Sequence, residues 1–188
     1  MVHCAGEFLL ATMGASHAPS PHAGDLIVVT LKREDTMFRQ WLVSAVEAQS
    51  THSEERILGL FHALHDRFAS DGYYGCAFIR ASVEYPTPGH PVHRAAREHK
   101  EMIRSYVRGL AAEVEGADPM TPSEQLYLLF EGAITASQLH GEPWPAEYAR
   151  QAAEKLLAAP SLELRPTPKK AGPRETQLKG SARRGNRK

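Results

Sequence analysis

The sequence predicts an all-α fold, and three observations predict it. Apolar residues recur near a period of 3.6 almost without a break over residues 25–159. Each interruption carries helix punctuation: a glycine, a proline or an N-capping side chain. Stretches that alternate with a period of two are few. The 188 residues, 42% hydrophobic and 23% charged, suit one soluble domain and exclude a wholly disordered, collagen-like or membrane-embedded chain. The aliphatic cluster 26–29 is far short of the roughly 20 apolar residues of a spanning helix.

The first helix is expected over 25–49, opening at Asp25 after Gly24, with Ile27, Leu31, Phe38, Trp41, Leu42, Ala45 and Val46 as its stripe. The β-branched run 27–30 would also tolerate a strand. Thr51 with Glu54 reads as a capping box for a second helix, striped by Ile57, Leu58, Phe61, Leu64 and Phe68 and stopped before Gly72. A short third helix, 76–84, is expected to bury Cys76, Ile79 and Val83, leaving Phe78 off that face. It ends at Pro86-Thr87-Pro88-Gly89. Pro91 opens a long fourth helix carrying Val92, Ala95, Ala96, His99, Met102, Ile103, Tyr106, Val107, Leu110 and Val114 up to Gly116. Thr121-Pro122-Ser123-Glu124 caps a fifth, with Leu126, Leu129, Phe130, Ala133, Ile134 and Ser137 before Gly141. After Pro143-Trp144-Pro145 the last helix carries Tyr148, Ala149, Ala152, Ala153, Leu156 and Leu157, and Pro160 closes it.

Three parts follow: a lead-in of 1–24, a helical domain of 25–159 and a tail of 160–188 that its prolines and glycines mark as disordered. The net charge of zero hides an asymmetry. The tail holds nine Lys/Arg against two acids, +7, and the rest holds thirteen against twenty, −7. Such a tail is either a solvated terminus or a contact for nucleic acid or an acidic surface.

Catalytic signatures are missing. There is no phosphate-cradling loop, no dinucleotide glycine motif, no nucleophile elbow, no His-Glu-x-x-His and no Glu-x-x-His, so neither an enzyme nor a cofactor is expected. His62/His65 and His90/His93 offer two imidazoles each without a convergent third ligand, so no metal site is expected. Cys4 and Cys76 make no disulfide scaffold, and the apolar stretch 8–15 lacks the basic flank of a secretory leader. A cytoplasmic location is expected. Trp41, Phe61, Phe78, Tyr106 and Phe130 come from five successive helices and either pack a core or line an apolar cavity. His99, on the stripe with Met102, Ile103 and Tyr106, is either a hydrogen-bonded core histidine or a polar contact for a buried ligand.

Several strings, in order, resemble the C-terminal regulatory domain of TetR-family transcriptional repressors over 25–159. They are Gly75-Cys76-Ala77-Phe78 followed by Glu84; His90-Pro91-Val92 leading to Glu98-His99-Lys100; Glu131-Gly132-Ala133; and Tyr148-Ala149-Arg150 before Leu156-Leu157. Asp25-Leu26-Ile27, Lys32-Arg33-Glu34-Asp35 and the string Phe38-Arg39-Gln40-Trp41-Leu42 are similar to the helix that follows the DNA-binding module in that family.

The resemblance implies a homodimer built on the last two helices, with Leu126, Ala133, Ile134, Ser137, Tyr148, Ala149, Ala152 and Leu156 at the interface. It also implies a small apolar or amphipathic effector held by Trp41, Phe61, Phe78, Glu84, His99, Met102, Ile103, Tyr106 and Phe130, whose entry releases DNA. The 24 residues before Asp25 are too few for the family's three-helix reading module, and no recognition helix is identified there. The expectation is a TetR-type repressor seen mainly as its effector-binding, dimerising domain, with no membrane partner and with operator reading in question. The alternative is a helical ligand-binding module that pairs with an intact paralogue.

Overall fold

The computed structural model describes residues 23–114 and 120–158, a succession of six helices. They are α1 (Ala23–Glu47), α2 (Ser53–Phe68), α3 (Ala77–Glu84), α4 (Pro91–Ala112), α5 (Met120–His140) and α6 (Trp144–Ala158). The lead-in, Cys4, the stop expected at Gly116 and the basic tail lie outside the described residues.

Each expected helix is present, and the differences sit at the ends. The run 27–30 is helical, with the Thr30 hydroxyl donating back to Leu26 O at 2.9 Å, so the β-branched side chains continue the helix. The capping box at Thr51 does not form: the N-cap of α2 is His52, extended and without a side-chain cap bond. At α5 the helix starts at Met120, which puts Thr121 inside it. In α4 Pro91 does occupy the first turn, and the His90 ring caps it by accepting the Val92 N–H at 3.3 Å.

The buried face of α3 is also corrected. Phe78 and Ala81 are buried, whereas Val83 is 74% exposed. Over so short a helix three apolar residues do not define a stripe, and docking onto α4 decides which side turns inward.

Two helices, α4 and α2, form the hub. α4 packs on α1, α2, α3 and α5, while α2 packs also on α1 and α6, and α5 on α6. The main core joins Leu42 and Val46 of α1, Leu60 and Phe61 of α2, Ile103 and Val107 of α4, and Leu126 and Phe130 of α5. The inward face of α6 is Ala146, Ala149 and Ala153, and such small side chains let it lie close on α2 and α5. A second cluster, Leu31, Phe78, Ala81, Val92 and Ala96, fastens α3 to the first halves of α1 and α4. The loop into α3 is pinned at Gly75, whose φ of 86° suits glycine. A Cβ there would meet the Gln138 side chain at 2.3 Å, while that side chain accepts the Cys76 N–H at 3.0 Å.

Candidate functional site

The α1–α4 seam has two halves. In the first, Asp35 stands in the core register of α1 between Leu31 and Leu42 and is only 7% exposed. A carboxylate so placed needs partners, because its desolvation is uncompensated otherwise. Arg39, one turn on, donates Nε to both oxygens at 3.1 and 3.0 Å and Nη2 to Oδ2 at 2.8 Å. His99 of α4 supplies Nδ1 at 2.8 Å. Burial raises the Asp35 pKa, and the Arg39 and His99 hydrogen bonds more than offset it, so the group ends below its ordinary value. For His99 burial wins and pulls the pKa down to about 4. The imidazole is therefore neutral at pH 7, and since an ionised carboxylate only accepts, Nδ1 carries the proton and donates it to Asp35.

Aromatic rings enclose this pair. Phe78 of α3 stacks on the His99 ring at 3.5 Å between centroids and 6° between planes, and Phe38 meets its edge at 5.3 Å. Phe38 continues to Trp41 at 5.3 Å, and the Arg67 guanidinium of α2 lies over both rings, 5.4 and 4.8 Å from their centroids.

The second half is open. Past Arg39, a groove of about 420 Å³ runs between Leu42 and Val43 of α1, Arg56 of α2, and Met102, Ile103, Tyr106, Gly109 and Leu110 of α4, with the Arg56–Glu113 ion pair among its lining groups. That volume is in the range of small-molecule sites. The Tyr106 hydroxyl is buried here without a well-formed hydrogen bond. Burial raises its pKa, so the phenol keeps its proton and is a donor. Arg39 lines the groove and holds Asp35, so one side chain belongs to both halves.

The expected ligand residues therefore separate. Trp41, Phe78 and His99 share the aromatic cluster, and Met102, Ile103 and Tyr106 share the groove. Phe61 and Phe130 are packed in the main core, each 1% exposed, and Glu84 is exposed at the end of α3 and joined to neither group. Asp35, Phe38, Arg39 and Arg67 were not expected. The available signal was a charge in core register, Asp35, with an arginine four residues on.

The expected interface residues also divide. Leu126, Ala133, Ile134, Ser137 and Ala149 are 0–7% exposed inside this one chain, so they cannot face a second copy. The outward stripe of α5 is instead Leu128, Gly132, Thr135 and Leu139, and beside it α6 exposes Trp144 and Tyr148 and half-exposes Ala152 and Leu156. Among the described residues no group of three or more His, Cys, Asp or Glu is placed to hold a metal, and no helix is long and apolar enough to cross a membrane.

Comparison with known proteins gives this architecture a family. A TetR-family transcriptional regulator from Streptomyces coelicolor is 30% identical, with a TM-score of 0.66 over 72% of this chain and 71% of its own. This chain belongs to the TetR family of transcriptional regulators. A putative TetR transcriptional regulator from Streptomyces avermitilis, 19% identical, shares the fold with a TM-score of 0.57 over 79% of this chain and 80% of that one. The TetR-family chain is also 27% identical over 117 residues to the helix-turn-helix-type transcriptional regulator YjdC of Escherichia coli. That match spans 62% of this chain and 61% of YjdC, about three fifths of the curated relative's length. No protein-family model matches the chain.

Proposed function

We propose that this chain is a ligand-responsive, homodimeric TetR-type repressor acting in the cytoplasm. It would take a small amphipathic effector along the α1–α4 seam. The observation that carries this reading is the double role of Arg39. An occupant of the groove that engages this guanidinium competes with Asp35, and Asp35 with His99 is the polar fastening between α1 and α4. Effector binding is thereby coupled to the placement of α1, the helix that leads back to the N-terminal segment. A ligand that binds one placement better shifts the population toward it.

The dimer belongs on the outward stripe of α5 and α6. Leu128, Leu139, Trp144 and Tyr148 are 41–81% exposed, and α5 is apolar on both sides, which suits a helix with partners on both. An isologous contact there should bury about 1,600 Å².

Two measurements test the proposal. Sedimentation of the full chain at micromolar concentration should show a dimer, and L139E with Y148E should give a folded monomer; a wild-type monomer would sink the dimeric reading. Binding to the chain's own upstream DNA and to scrambled DNA across a salt series tests the regulatory part. A preference of about 10³ that survives physiological salt supports operator reading. Equal, salt-labile binding through the +7 tail, or no binding, would count against a repressor that reads DNA by itself.

A further inference from the structure

The open groove between α1 and α4 is balanced in charge and unbalanced in hydrogen-bonding capacity. Its floor is aliphatic: Leu42, Ile103 and Leu110 are each 0–2% exposed, and Val43 and Met102 continue the wall toward solvent. From Met102 to Glu113 it follows about three turns of α4, roughly 16 Å. Arg39 stands at one end, and the Arg56–Glu113 ion pair at the other. Each guanidinium already has a carboxylate, Asp35 for Arg39 and Glu113 for Arg56. Burial, with Glu47 and Glu113 adding to it, keeps the Tyr106 phenol protonated and uncharged. An anion entering the groove would join three acids whose two arginines are spoken for, and a cation would stand against both guanidiniums.

Donors, by contrast, are in surplus. Asp35 takes the Nε and Nη2 edge of Arg39, and the opposite edge, with both Nη1 hydrogens, lies outside that pair. The side chain is 40% exposed, so an occupant of the groove can reach that edge. The Tyr106 hydroxyl makes no well-formed hydrogen bond, and its neighbour Arg56 can only donate, so the guanidinium does not use the phenol proton. Besides the phenol oxygen, the side-chain acceptors in the lining are the Glu113 carboxylate, held by Arg56, and the exposed Ser105 hydroxyl.

We propose that the groove binds an uncharged, largely apolar molecule whose carbonyl oxygen accepts from the outer edge of Arg39 while its body lies on Leu42, Met102, Ile103 and Leu110. This rests on the effector reading and names the effector's chemical class. A carbonyl uses the spare donors without adding charge, and a hydrogen bond from a charged donor is among the stronger kinds. The Tyr106 phenol is the second donor, open to an acceptor that moves the neighbouring Arg56 side chain. The carbonyl draws on the guanidinium that holds Asp35, so occupancy and the α1–α4 fastening compete.

The test is calorimetric titration of the full chain with four molecules of one shape: acetylnaphthalene, its isopropenyl isostere with CH₂ in place of the carbonyl oxygen, naphthoate and naphthylethylamine. The ketone should bind about 10-fold or more tighter than the isostere, and tighter than either ion. Arg39→Met should bring the ketone down to the affinity of the isostere, and Arg39→Lys, which keeps a charge for Asp35, should restore part of the preference. Gly109 lines the groove and has open space at its Cβ, so Gly109→Phe should fill the groove and weaken ketone and isostere alike. Circular dichroism melts establish which variants are folded; if Arg39→Met is not, Arg39→Lys and Gly109→Phe decide the matter. Ketone and isostere binding equally, either ion binding tighter than the ketone, no ketone binding up to about 1 mM, or ketone binding untouched by Gly109→Phe would each overturn the carbonyl site. Ketone that binds in an Arg39-dependent way yet leaves DNA affinity unchanged would support the site and count against the repressor reading.

Discussion

The two halves of the α1–α4 seam are built by one pair of helices and solve opposite problems. In the first half every buried polar group has a counterpart: Asp35 takes Arg39 and His99, and His99 is covered by Phe78. In the second half the same helices leave about 420 Å³ open and a tyrosine hydroxyl beside Arg56 with no well-formed hydrogen bond. The difference lies in what covers the seam. α3 brings a flat ring and closes the first half, whereas α2 offers Arg56, a long side chain turned to Glu113. A filled seam serves stability, and an unfilled one has room for a ligand. Arg39 joins the two, so a change in one half should be read in the other.

The largest effect should come from breaking the closed half. Asp35→Ala leaves the His99 Nδ1–H without an acceptor and frees Arg39, whose side chain is 40% exposed and can turn to water. Removing one partner of a buried pair costs about 3–5 kcal/mol, and the escape of Arg39 places this case near 3. Urea unfolding should show the loss in the midpoint with little change in slope. A loss under about 1 kcal/mol would mean the pair is not the fastening described.

Next comes pH. The folded pKa of His99 is about 4 against 6.5 for the free side chain, so between these values the unfolded chain binds the extra proton. Stability is then fully present above pH 6.5 and is lost as pH falls toward 4, by about 3 kcal/mol in total. Asp35, held below its ordinary value, adds its own loss only at lower pH. His99→Gln should remove about one proton from the uptake on unfolding, measured from urea midpoints over pH 4.5–8. An unchanged pH slope in that variant would show that His99 titrates normally.

A smaller effect is expected at the loop beside α3. Gly75→Ala puts a side chain at φ 86° and drives its Cβ into Gln138, at a cost of about 2 kcal/mol. Gln138→Ala should cost only about 1, since it removes one hydrogen bond without strain. Equal costs would assign the whole effect to the Cys76 contact.

Much of this was legible in the sequence. The stripes of α1, α2 and α4 name Leu42, Val46, Ile57, Phe61, Leu64, Ile103 and Val107, all buried. The stripe of α5, Leu126, Phe130, Ala133, Ile134 and Ser137, is buried too, with Leu129 half-buried; what failed there was giving that face to a second copy, since it packs inside this chain. The stripe reading itself failed at α3, too short to show a period.

The smallest predicted effect on stability bears most directly on the contrast between the halves. Tyr106→Phe removes a buried hydroxyl with no well-formed hydrogen bond, so the folded state gives up little and sheds a desolvated donor. Its unfolding free energy should stay within about 0.5 kcal/mol of the native chain or rise slightly. The same change in the closed half, removal of a partnered polar group at Asp35, is destabilising. A loss above about 1 kcal/mol for Tyr106→Phe would show that the hydroxyl is paired after all, and both halves would then be packed for stability alone. If stability holds, retention of the phenol is explained by what enters the groove, and Tyr106→Phe should weaken whichever ligand competes for Arg39.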